Sequence, residues 1–287
     1  MFLTKHKMEE GTIPKIIHQM WLDKKVLDNE GPPESRSVYL SYMNKWKELH
    51  PEYTYMFWNR KRVDSLLEKY PRYKTFYENE IEAHIEKCDF ARYVVLLEYG
   101  GIYVDLDVEP LKKITPLLKG RDKILIFESK DTRTHLVEPH RRLFNGWLGA
   151  TPNDPFWSNW IDYLMSHYVR NFSVMWNTGP SAFANFIWEK YPSVAKESVD
   201  NTNVHTVNHC LVFPYTNRDG IYSECEGIEL DPYTVIHWND GTYWSQGTRE
   251  AQRSLTWGTY TLTPLVILLV WIVAFIILMA LVWVGKI

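Results

Sequence analysis

Cysteine is scarce in this chain of 287 residues: three only, Cys88, Cys210 and Cys225, far apart and odd in number. No CxxC pair and no Cys/His ligand spacing is present, which argues against a zinc site and a disulfide framework. The three are expected as reduced, mostly buried thiols. A surplus of positive charge is missing as well. Lys and Arg total 32 against 35 Asp and Glu, a formal net charge of −3, so no basic field points to nucleic acid. The opening stretch MFLTKHKMEEGTIPK has no apolar core of the kind a secretory signal needs. Repeats and low-complexity tracts are absent too.

What is present reads as a globular enzyme-sized domain. Hydrophobic residues make up 45% and charged ones 23%, and the length suffices for one large core. Thirteen Trp and 18 Tyr are available for core packing or for stacking on rings and sugars. Near the end, residues 265–284 run without a charge. As a helix they would extend about 30 Å, the thickness of a bilayer core, flanked by Trp257, Tyr260, Trp283 and Lys286 as interfacial anchors. The expected layout is a polar segment over 1–12, a domain over 13–247, a linker over 248–263 and a membrane helix over 264–285.

Strand-like and helix-like stretches alternate through the domain, which predicts an α/β sheet. Strands are expected at 15–21, 52–59, 102–108, 122–129 and 233–240, and in CLVFPY. Helices are expected at 37–51, 61–70 and 85–101, the last stopped by a Gly pair. NGWLGATPNDPFWSNWIDYLMSHY reads as a loop feeding a helix, and TGPSAFANFIWEKYP as a second such unit.

The segment GGIYVDLDVEP, residues 100–110, places two aspartates inside an otherwise apolar strand. On a strand Tyr103, Asp105 and Asp107 would share one face, opposite Ile102, Val104, Leu106 and Val108. Carboxylates taken out of water must be paired or hold a metal. At the carboxyl end of a sheet strand they would suit a hard divalent cation that also ligates phosphate oxygens. The spacing alone is weak, since 35 acidic residues give about four such triplets by chance. Upstream, Asp89 and Arg92 are three apart on one helix face, as a surface ion pair or as groups that meet substrate hydroxyls.

These blocks resemble the DXD-containing sugar-transferase family, which includes yeast-type initiating α-mannosyltransferases and mannosyl-inositol-phosphoceramide synthases. IPKIIHQMW, DFARYVVLLEYGGIYVDLDV, NGWLGATPNDPFW, NTGP and VIHWNDGTYW occur in the family's order over about 13–245, and NTGPSAFANFIWEKY is most similar to the inositol-phosphoceramide branch. The resemblance implies a GT-A, Rossmann-like domain with a mostly parallel central sheet, a nucleotide-sugar donor, Mn²⁺ or Mg²⁺, and retention at the anomeric carbon. It implies that Asp105 and Asp107 hold metal and donor, with His237 as a further ligand or diphosphate contact. Asp89 and Arg92 would meet the donor sugar, Tyr103 would lie beside the metal, and Trp21 would stack on the base. Asn145, Thr178, Gly179 and Pro180 would line the cleft, with Trp238 and Trp244 against the sugar or closing the domain. His18 reads as structural. The donor expected is GDP-mannose, with UDP-glucose or UDP-galactose as the alternative. The acceptor expected is an inositol-phosphate lipid, with a glycan as the alternative.

Two rivals are weaker. A phosphatase built on a DxD nucleophile wants Thr or Val where Glu109 stands. A catalytically dead carbohydrate-binding protein would have no reason to keep Asp89, Arg92, Asp105 and Asp107 together. A lone C-terminal anchor predicts a domain facing the cytosol; the acceptor triplet for N-glycosylation at Asn171 favours the luminal alternative.

Overall fold

The computed structural model describes residues 12–129, 140–170, 172–197, 206–214, 221–227 and 231–236. Among them no helix is long and apolar enough to cross a membrane. The expected linker and membrane helix lie outside the described residues, as do Asn171, His237, Trp238 and Trp244.

Strand β1 (Ile16–Met20) is the apolar run after Pro14. Helix α1 (Ser37–Leu49) turns Tyr39, Tyr42, Met43 and Trp46 inward at helical spacing. After β2 (Thr54–Trp58), helix α2 (Arg60–Leu67) is capped by Asn59, whose Oδ1 accepts the Arg62 N–H at 2.9 Å. Helix α3 (Pro71–Asn79) opens on a proline, and α4 (His84–Tyr99) leads into β3 (Gly101–Val104). Then come β4 (Val108–Pro110), α5 (Thr115–Leu118), β5 (Lys123–Ile124), β6 (Trp147–Ala150) and α6 (Pro155–His167). Helices α7 (Val174–Asn177), α8 (Pro180–Lys190) and α9 (Pro192–Glu197) and strand β7 (Thr234–Ile236) follow.

The main sheet has the order β2-β1-β3-β6-β5. β1 pairs in parallel with β2 and β3, whereas β6 is antiparallel to both β3 and β5. Four strands therefore share one direction and, among the described residues, only β6 opposes them, giving the α/β sheet that alternation predicts, with the mostly parallel strands that the resemblance implies. Successive residues of β3 point to opposite faces: Tyr103 joins the core of α4, α6 and α8 with Trp157, Trp160 and Phe183. Ile102 and Val104 join the other core, with Trp46, Trp147 and Phe213. From β1 the chain moves to β2 on one side and later returns past β1 to β3 on the other. That reversal is a topological switch point, and in open α/β sheets ligands bind outside the carboxyl ends of the strands there. Trp21 follows β1 and Asp105 follows β3, so the order of strands brings both to that edge.

The Gly pair ends α4 as expected, for a steric reason. Gly100 and Gly101 have φ of 61° and 86°, and a Cβ on Gly101 would lie 2.7 Å from the Ile16 carbonyl oxygen. β3 then stops at Val104, earlier than expected. Residues 105–107 form a turn in which the Val108 N–H reaches the Asp105 carbonyl at 3.2 Å, and β4 pairs instead with β7. The shared strand face of Tyr103, Asp105 and Asp107 is thus corrected to a strand end plus a turn. Three other expectations also change. WLGA, read as loop, is β6: a run buried on both faces shows no alternation to betray it. CLVFPY, read as a strand, starts instead in a short helical turn capped by Asn208, and the strand expected over 122–129 narrows to β5.

Cysteine is a further correction. Cys210 and Cys225, 2% and 1% exposed, form a disulfide across 15 residues. Two short helical turns, rather than a motif, bring them together. A loop of that length is worth about 3 kcal/mol in the chain-entropy account, so Cys225→Ser should lower unfolding free energy by about that much. Denaturant titrations with and without reductant check it; identical midpoints for the native chain would mean the pair is not bonded.

Candidate active site

Three ionisable groups meet below the carboxyl edge. Asp89 and Arg92, each 4% exposed, come from α4, and Asp105 from the turn after β3. Arg92 Nη2 lies 2.9 Å from Asp89 Oδ1 and Nη1 lies 3.3 Å from Asp105 Oδ1. Nη1 also donates to the Asn145 carbonyl at 2.8 Å, and the guanidinium sits 4.7 Å over the Tyr103 ring. The pairing of Asp89 with Arg92 is therefore buried, not the superficial contact that i,i+3 spacing usually gives.

A closed ring of hydrogen bonds holds Asp89. Thr178 Oγ1 donates to Oδ2 at 2.8 Å and Asn145 Nδ2 donates to Oδ1 at 3.1 Å. The same Nδ2 donates to the Tyr93 hydroxyl at 3.1 Å, which donates to the Thr178 carbonyl at 2.7 Å. Burial pushes the Asp89 carboxyl up to about 7, against the pull of Arg92 and of the Thr178 hydroxyl. The carboxylates nearby hold the Arg92 guanidinium protonated despite its burial.

Asp105 is more open, its side chain 33% exposed. The Tyr103 hydroxyl donates to its Oδ1 at 2.8 Å, its N–H donates to the Gly146 carbonyl at 2.8 Å, and its carbonyl accepts from Gln19 Nε2 at 3.3 Å. Gln19 is in turn held by the Tyr55 hydroxyl at 2.7 Å. Gly146 packs against this carboxylate so closely that a Cβ would collide with Oδ2 and stand 3.0 Å from Cγ. Gly146→Ala is expected to displace Asp105 and weaken Mn²⁺ binding at least tenfold, read by isothermal calorimetry; unchanged binding would show that Asp105 is not a ligand.

Asp107 is half-buried in the turn two residues on. Asp105 and Asp107 offer hard oxygen donors two residues apart just beyond the end of β3, the donor type that suits a divalent cation of the Mg²⁺ or Mn²⁺ kind. His237, the further ligand expected, lies outside the described residues.

Trp21 is half-buried at the end of β1, 6.3 Å from the Tyr39 ring. It packs against a cluster that includes Leu106, the residue between the two aspartates. Gly179 is buried where a Cβ would stand 3.0 Å from the Val174 carbonyl oxygen, so it shapes the turn that presents Thr178. His18 is structural: Nε2 donates to the Gly100 carbonyl at 2.8 Å and Nδ1 accepts from Trp58 at 3.0 Å, and burial lowers its pKa to about 4. Tyr93, Gly146 and Gln19 escape a reading of the sequence because each acts across more than 40 residues, with no local spacing to mark it.

A carboxylate–guanidinium–carboxylate chain, buried at Asp89 and Arg92 and partly open at Asp105, stands at the switch point of a mostly parallel sheet. Residues 37–129, which hold Asp89, Arg92, Asp105 and Asp107, match the family described as the glycosyltransferase sugar-binding region containing a DXD motif. The chain is 32% identical to a mannosyl phosphorylinositol ceramide synthase of Saccharomyces cerevisiae, over 62% of this chain and 43% of that protein. It is 30% identical to an initiation-specific alpha-1,6-mannosyltransferase of Candida albicans, over 53% of this chain and 36% of that one. Among solved structures the PaToxG glycosyltransferase is 17% identical with a TM-score of 0.48, covering 66% of this chain and 74% of that one. The family match is confined to residues 37–129, and the chain spans less than half the length of the two curated relatives.

Proposed function

We propose that the protein is a metal-dependent, retaining hexosyltransferase of GT-A type that moves mannose from GDP-mannose to a membrane-associated inositol-phosphate sphingolipid. The observation that carries the reading is the chain Asp89–Arg92–Asp105 at the switch point, opening on Asp107. The names of the relatives, which concern mannosyl transfer and inositol phosphoceramide, support the choice of sugar and acceptor.

In this reading Asp105 and Asp107, with His237, would hold Mn²⁺ or Mg²⁺, which when bound would supply Lewis-acid charge against a departing diphosphate. Arg92 and Asp89 form the inner wall on which the donor sugar rests. Arg92 Nε is buried and has no acceptor among the described residues, a donor left for a substrate oxygen. The fixed charge of Arg92 stands beside Asp105, close to where charge develops as the bond to the diphosphate breaks. Asp89 accepts at both oxygens and is not placed to attack the sugar, which favours front-face attack by the acceptor hydroxyl. Trp21 would offer its ring to the base, and Trp238 and Trp244 would stack on the sugar or close the domain.

Calorimetry with nucleotide sugars in the presence of Mn²⁺ tests the donor, with GDP-mannose expected to bind at least tenfold tighter than UDP-hexoses. A UDP-sugar preference would sink the mannose assignment and leave the transferase standing. The domain over 13–247 and the membrane helix over 264–285 complete the proposal. The disulfide between Cys210 and Cys225 favours an oxidising compartment, hence the luminal rather than the cytosolic side. Protease treatment of sealed microsomes decides it: digestion of the domain would return it to the cytosol.

A further inference from the structure

Immediately after Trp21 the chain exposes Lys24, Lys25, Val26 and Leu27, the last two at 49% and 51%. The loop is pinned open. Asp23 Oδ1 accepts from the N–H groups of Lys25 and Val26 at 2.6 and 3.0 Å, and the Leu27 carbonyl accepts from the Lys61 N–H at 2.8 Å. That last bond sets the start of α2, with Arg60, beside the loop. The nearby acids are already engaged: Asp23 with its own backbone turn, Asp28 with Lys61 at 3.8 Å and Glu30 with Arg62 at 3.0 Å. Lys24 and Arg60 are near enough to act together on His84, whose pKa burial lowers and their charges lower further. A held-out apolar pair between cationic side chains is the chemistry that meets an anionic lipid surface: the apolar tips enter the boundary and the cations meet headgroups.

We propose that this patch docks the catalytic domain on an anionic membrane surface, presenting the carboxyl edge of the sheet to headgroups in the bilayer plane. The inference deepens the lipid-acceptor reading and rests on it, but its test reads depth rather than transfer. Burial pushes the Cys88 thiol up to about 12, so an environment-sensitive probe on Leu27→Cys labels selectively at neutral pH. The labelled full chain goes into nanodiscs of phosphatidylcholine, with and without phosphatidylinositol; a probe on Leu111→Cys, at another exposed apolar position, is the reference. The Leu27 probe is expected to shift to the blue and be quenched by doxyl lipid with phosphatidylinositol present, while the Leu111 probe is not. Lys24→Gln with Lys25→Gln should lower the docked-to-undocked ratio by about 25-fold, since each lysine near such a surface is worth about fivefold. A Leu27 probe as water-exposed as Leu111 in both lipids overturns the proposal. So does shielding already present without lipid, which would assign the patch to a protein contact. Shielding without transfer to any lipid supports the patch and sinks only the acceptor reading.

Discussion

Asp107→Asn is expected to abolish sugar transfer while leaving the unfolding midpoint nearly where it was. Asparagine keeps the shape of the side chain and removes its charge. Asp107 lies half-buried in a turn at the sheet's edge, so its replacement opens no cavity, and the stability change should stay within about 0.5 kcal/mol. The chemical loss is of another order. A cation that neutralises the leaving diphosphate is worth several kcal/mol at the transition state, so losing it costs about a thousandfold or more in turnover. The same variant should fail to bind Mn²⁺ in calorimetry. Full activity in Asp107→Asn, or in the native chain with excess EDTA, would remove the metal from the mechanism. The pairing of a large kinetic loss with a small thermal shift matters, because a fold defect would lower both.

The amino-acid order already carried the α/β alternation and the Gly stop after α4, because these are local: helical spacing in α1 and a Gly pair at the end of a helical run. The aspartates were legible through their neighbours in the chain, although their strand was overextended. Alternation in IYVDLDV continues past Val104 on paper, yet pairing with β6 ends at the register Val104–Trp147 and the backbone turns. The rest is long-range. The sequence separates Thr178 from Asp89 by 89 residues and Asn145 from Asp89 by 56, and only the packing of α4 against α7 and β6 brings them together. The disulfide escaped for the same reason, its cysteines meeting through two short turns. His18, read as structural, is satisfied at both nitrogens by groups 40 and 82 residues away.

Arg92→Met should produce the largest effect on stability, about 3 to 5 kcal/mol, together with loss of transfer. Methionine fills much of the same volume, so the cost is electrostatic. Among the described residues Arg92 is the cation paired with Asp89, which is 4% exposed, and it also bonds the Asn145 carbonyl and contacts Asp105. Without it, Asp89 either stays charged in a dry site or takes up a proton. It already sits near 7 with the guanidinium beside it, and burial would then drive it higher. A proton held by the folded chain and released on unfolding makes stability fall as pH rises, from the ordinary carboxyl value of 3.8 upward through the folded pKa. Arg92→Met should therefore be least impaired near pH 4 and lose stability steadily through neutral pH, a slope read by denaturant titration at several pH values. Adding Asp89→Asn removes the orphaned charge and should recover most of the stability, but not the activity. Arg92→Lys should keep part of the stability and little of the transfer, since one ammonium cannot span Asp89, Asp105 and the Asn145 carbonyl as a planar fork does. If Arg92→Met were as stable as the native chain at pH 7, the pair would not be buried in solution. The site would then have to be rebuilt from Asp105 and Asp107 alone.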